Sequence, residues 1–94
     1  MMRPKRTRRD INHAQVIQDL RKIGAVVWDL ADLGGRCLDI LVAWRGKCLP
    51  VEIKSPGGQL TESERESIEE LRAVGVEAAV ATCAEDVLAA WENS

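Results

Sequence analysis

Leu38-Asp39-Ile40-Leu41-Val42-Ala43-Trp44-Arg45-Gly46-Lys47-Cys48-Leu49-Pro50-Val51-Glu52-Ile53-Lys54 is the stretch on which the fold turns. It reads as two apolar strands around a tight turn. With Arg45-Gly46 as the loop, Trp44 opposes Lys47, Val42 opposes Leu49 and Ile40 opposes Val51. The last two pairs match in hydrophobicity, which supports this register. The same register sets Asp39 opposite Glu52, and opposed residues share a face with Cβ atoms roughly 5 Å apart. Lys54, two residues beyond Glu52, shares that face. Gly46 can take the positive φ such a turn needs, although Asn-Gly is the favoured pair. A four-residue loop over 44–47 keeps the register, whereas a three-residue loop separates Asp39 from Glu52. Pro50 has no N–H, so one ladder bond is missing or its strand is locally irregular.

Upstream of the hairpin, Asp10 is placed to cap a helix. Ile11, Ala14, Ile17, Leu20 and Ile23 form its apolar stripe at three-residue steps, and Gly24 closes it. Gln15 and Asp19 share a face off that stripe. Residues 25–30 read as a short strand, and 31–36, with adjacent Gly34 and Gly35, as a loop that lets the backbone approach something closely. Downstream, 54–59 is a loop. Thr61 and Glu64 make a capping box for a helix reaching about Val74, with Ile68, Leu71 and Val74 inward and Gly75 as its stop. Residues 76–81 read as a buried strand. Thr82 and Glu85 suggest a second capping box, opening a final helix with Val87, Leu88 and Trp91 inward. The order is α-β-β-β-α-β-α: an α/β domain with a three-stranded antiparallel meander and a right-handed crossover to a parallel fourth strand. The mixed four-stranded sheet is flanked by helices.

Ninety-four residues make one domain with a modest core, for which dimerisation is a common source of further burial. No apolar run approaches the roughly 20 residues of a membrane span, and the first residues lack the apolar core of a secretory signal. Cys37, Cys48 and Cys83 are an odd count without CxxC spacing, expected as reduced thiols in a cytoplasmic setting. A zinc site is not expected, since the single histidine, His13, is remote from them in sequence. Residues 1–9 carry five of the thirteen basic residues and no acid, so the remainder nets −7. A flexible basic arm (1–9) preceding one acidic domain (10–94) can reach phosphate through the arm.

Asp39, Glu52 and Lys54 are the charges that need explaining. A plain cross-strand ion pair is the simplest account. Against it, two like charges directly opposite destabilise a hairpin, and their strands are otherwise apolar. A hard divalent cation resolves the repulsion, and Mg²⁺ typically takes one or two carboxylates plus water and substrate phosphate.

Asp39 followed by Glu52-Ile53-Lys54 resembles the D…ExK signature of the PD-(D/E)xK nuclease superfamily. Gly34-Gly35-Arg36-Cys37-Leu38-Asp39 with Ile40-Leu41-Val42 resembles its glycine-rich G-x-PD-hydrophobic segment. Glu52-Ile53-Lys54, then Leu60-Thr61-Glu62-Ser63-Glu64 and Leu71-Arg72-Ala73-Val74-Gly75, is similar to the VRR-NUC branch and its small stand-alone members, many from phages, over roughly residues 10–92. Leu38 replaces the usual proline, Glu64 the usual glutamine, and Gln15 an acid common on the first helix. The resemblance implies a restriction-endonuclease-like core and metal-dependent DNA cleavage. Asp39, Glu52 and the Ile53 carbonyl would hold Mg²⁺ or Mn²⁺, Lys54 would orient water or neutralise phosphate charge, and Gln15 would act on the water or metal shell. It also implies a homodimer acting on branched DNA in the manner of Holliday-junction resolvases. The competing readings are a non-catalytic DNA-binding or assembly protein on the same fold, and an unrelated α/β domain with a surface ion pair.

Overall fold

The computed structural model describes residues 11–33 and 37–93. The elements run α1 (His13–Lys22), β1 (Val26–Asp29), β2 (Ile40–Trp44), β3 (Lys47–Ile53), α2 (Glu62–Ala73), β4 (Ala79–Ala81) and α3 (Ala84–Glu92). One mixed sheet holds the strands in the order β1-β2-β3-β4, with β4 parallel to β3 and the other neighbours antiparallel. The expected order and sheet are therefore those observed.

The hairpin keeps the register read from its sequence, with Ile40 opposite Val51, Val42 opposite Leu49 and Trp44 opposite Lys47. Arg45 at φ 51° and Gly46 at φ 80° both take the left-handed region, as a type I′ turn requires. An arginine there is strained, and its guanidinium lies 4.3 Å over the Trp44 ring, a cation–π contact that offsets part of the cost. Pro50 sits inside β3 opposite Leu41.

Alternation divides the sheet residues between two faces. Val27, Ile40, Val42, Leu49, Val51, Ile53, Ala79 and Ala81 point to one face and pack with Val16, Ile17 and Leu20 of α1 and Val87 and Trp91 of α3. A smaller cluster joins Ile68 of α2 to Leu38 and Ala78, with Leu60 and Leu71 against it. The rest of the second face is less covered: Trp28 is 63% and Val26 56% exposed.

Five local expectations need correction. The buried stripe of α1 is His13, Val16, Ile17 and Leu20, while Ile11 and Ile23 are exposed. His13 shifts the phase because its Nε2 lies 3.1 Å from Asp29 Oδ1 of β1, which lets an imidazole take a core position. Asn12 is the N-cap of α1, and Asp10 lies outside the described residues, as do 1–9, 34–36 and Ser94. β4 has only three residues; Val76 and Glu77 are exposed and precede it. Val74 is exposed rather than inward, beyond the end of α2. Finally, Cys83 rather than Thr82 occupies the N-cap position of α3, without a side-chain capping bond, and Asp86 rather than Glu85 is the acid that reaches back, its Oδ2 accepting from the Thr82 amide and hydroxyl. That bonding holds the Asp86 carboxyl below its ordinary range. The Thr61–Glu64 capping box is formed as read.

Candidate active site

β2 and β3 hold their ladder up to Ile40–Val51 and then part. Beyond that point the Ile53 amide donates to Asp39 Oδ2 at 2.9 Å, so a side chain takes the place of a ladder carbonyl. The N–H and C=O of one strand residue point to the same flank, so the Ile53 carbonyl faces the Asp39 side too. Asp39 is thereby fixed at the split end of the sheet with its second oxygen uncommitted by that bond.

Glu52 stands opposite this position and is only 4% exposed. Burial pushes its carboxyl up to about 9; the negative charge of Asp39 and a hydrogen bond and charge from Glu64 act in the same direction. Hydrogen bonding joins Glu52 to both of those carboxylates. The protonated form supplies the donor that two adjoining anions lack, which is how a buried acid survives beside them without a cation.

Lys54 leaves β3 where the main chain turns toward the loop. Its amide donates to the Ala81 carbonyl at 2.9 Å. Its carbonyl accepts from Asn12 Nδ2 at 3.0 Å, and the same amide nitrogen of Asn12 also donates to the Thr82 carbonyl. The end of β3 is thus tied to the starts of α1 and α3. The Lys54 ammonium lies 3.0 Å from Glu64 Oε1, with both side chains largely shielded from solvent.

Glu64 is the residue the sequence did not assign to the site. Its Oε1 also accepts from the Thr61 amide at 2.9 Å. One oxygen therefore closes the helix cap and anchors the ammonium. Burial raises the Glu64 carboxyl, but the Thr61 amide, the Glu52 hydrogen bond and Lys54 outweigh it and leave it below its ordinary range. Two sequence signals bore on it: the capping box, which places Glu64 at the first turn of α2 after the Lys54 loop, and its position where the resembled motif usually has glutamine.

The structure therefore brings together Asp39, Glu52, Ile53 and Lys54, and adds Glu64. Gln15 lies on the exposed side of α1, where its Nε2 donates to Asp19 Oδ1 at 2.8 Å, the shared face read from their spacing. Among the described residues, no group of three or more His, Cys, Asp or Glu side chains is disposed to hold a metal ion. The available donors are the Asp39 and Glu52 carboxylates and the Ile53 carbonyl. That all-oxygen set of two carboxylates fits Mg²⁺ or Mn²⁺, which complete their shells with water and phosphate, and does not fit zinc.

The three cysteines carry free thiols. Among the described residues, no helix is long and apolar enough to cross a membrane. No family model, no curated protein and no solved structure matches this chain.

Proposed function

We propose that the protein is a metal-dependent endonuclease that hydrolyses DNA phosphodiester bonds, selective for branched DNA and acting as a homodimer, on a restriction-endonuclease-like core of the PD-(D/E)xK, VRR-NUC type. The observation that carries this reading is the buried Glu52 set against Asp39 at the split end of β2 and β3. A surface ion pair needs neither the burial nor the second carboxylate.

Asp39, Glu52 and the Ile53 carbonyl would hold Mg²⁺ or Mn²⁺. Bound there, a hard divalent cation would supply Lewis-acid polarisation of the scissile phosphate and would make a bound water more acidic. Asp39 is oriented for this by the Ile53 amide. Lys54 is held near the carboxylates by Glu64 and presents its ammonium to the phosphate oxygens or to the attacking water. Glu64 positions Lys54 without touching the reacting atoms.

The test is cleavage of labelled four-way junction, flap and linear duplex in Mg²⁺, Mn²⁺ or EDTA. Cleavage is expected in either cation and absent in EDTA, in Asp39→Ala and in Lys54→Ala. Activity that persists in both variants would overturn the assignment. Binding without cleavage, lost on deleting residues 1–9, would favour a non-catalytic DNA-binding protein.

A further inference from the structure

Trp28 is the most conspicuous exposed apolar side chain of the sheet, and its position is not neutral with respect to the carboxylates. It pairs with Leu41 in the β1–β2 ladder, so both lie on the face that Asp39 and Glu52 share. Asp39 is two residues before Leu41, which makes Trp28 its diagonal neighbour at a spacing of roughly 7–8 Å. The Leu30 amide donates to the Asp39 carbonyl at 2.8 Å, so the β1–β2 alignment continues up to Asp39. Exposed Val26, one step along β1, extends the apolar surface. α2 packs its Ile68 against Leu38 and Ala78 and leaves the β1 side of this face open.

We infer that Trp28 is a stacking platform for an unpaired nucleobase next to the scissile phosphate, so that the substrates are DNA strands with a splayed or extruded base at the cut. This inference rests on the nuclease reading. A base is separated from its phosphate by one sugar, a length comparable to the Trp28–Asp39 spacing. An indole offers an apolar π-face to any base, a contact worth about 1–3 kcal/mol. Duplex bases already stack on one another and gain nothing from such a platform. A second copy of the chain seated on this face would bring the Asp39 and Glu52 carboxylates of both copies under the interface and close them to substrate. The continuity of Trp28 with the carboxylates therefore selects a nucleobase as the occupant.

The experiment measures binding in EDTA, where no cleavage is needed, of a duplex and of a splayed-arm DNA carrying 2-aminopurine at the first unpaired nucleotide. Wild-type protein is expected to bind the splayed arm more tightly and to quench the probe. Trp28→Ala is expected to reduce the preference for splayed-arm over duplex about tenfold or more and to abolish the quench; Trp28→Phe should retain most of both. Val74→Ala removes a still more exposed apolar group, just past the end of α2, and controls for general stickiness. An unchanged preference in Trp28→Ala overturns the inference, as does Trp28-dependent self-association that shields the indole without DNA. Cleavage assayed separately keeps the two readings apart. Cleavage lost in Asp39→Ala but with unaltered substrate preference in Trp28→Ala refutes the platform alone. Trp28-dependent quenching with no cleavage in any cation supports the platform and refutes the nuclease.

Discussion

Replacing Glu52 by Gln should make the protein more stable at alkaline pH and indifferent to the cation. The native Glu52 carboxyl is raised from an ordinary value of 4.5 to about 9, chiefly by burial and by the adjacent Asp39 charge. Between those values the folded chain keeps a proton that the unfolded chain releases. Stability therefore falls as pH rises through this window, with a slope of up to about 1.4 kcal/mol per pH unit. From pH 5 to pH 8 that is a ceiling on the order of 4 kcal/mol, a large share of the 5–15 kcal/mol typical of a domain. For a chain of this size it corresponds to several degrees of melting temperature per pH unit. The assay is thermal unfolding of wild type and Glu52→Gln in EDTA at closely spaced pH values, repeated in Mg²⁺ and in Mn²⁺. The difference between the two proteins isolates this group from every other titration. In EDTA the wild-type melting temperature should decline relative to the variant as pH rises. Under the proposed function, a cation should restore the wild type at high pH, since it takes the place of the proton, and leave Glu52→Gln unmoved. Parallel profiles in EDTA would refute the reasoning about the buried carboxyl. A decline that neither cation reverses would leave the burial argument intact and refute the metal site.

Other substitutions separate structural from chemical roles. Asp39→Ala strands the Ile53 amide and should cost about 1–3 kcal/mol in denaturant unfolding, whereas Asp39→Asn keeps an acceptor, costs less and still loses cleavage. Thr61→Ala removes the cap of α2 and should cost about 0.5–2 kcal/mol, read by chemical denaturation. Glu64→Gln retains an oxygen for the Thr61 amide but drops the charge beside Glu52 and Lys54; the pH slope of the melting temperature in EDTA should become shallower while helix content by circular dichroism is unchanged.

The hairpin was legible because two independent signals agreed. Its hydrophobic pairs match only in one register, and Gly46 permits the turn that this register demands. That alone placed Asp39 opposite Glu52. The α1 phase is not legible in the hydrophobic pattern because a polar residue, His13, occupies the core through its contact with Asp29 in a strand sixteen residues away. Residues 76–78 look like strand by composition, yet the parallel pairing to β3 begins only at Ala79. Glu64 does not stand out in the sequence as a site residue because its local role in the cap is sufficient to explain it. The ion pair to Lys54 depends on how the intervening loop folds back, which side-chain periodicity does not encode.

The Asn12 side chain has a consequence for the order of assembly. Its single amide nitrogen holds carbonyls 42 and 70 residues further along the chain. The backbone at Lys54 is therefore secured only after the chain through Thr82 has been made and has docked. Closing loops of that length is among the slow steps in folding, and contacts made through them come late. The hairpin can form early from its own turn, but the end that carries the ammonium reaches its final place last. On this view the carboxylates and the lysine become a working unit only as the fold is completed, so partly folded chains would carry the sheet without the site.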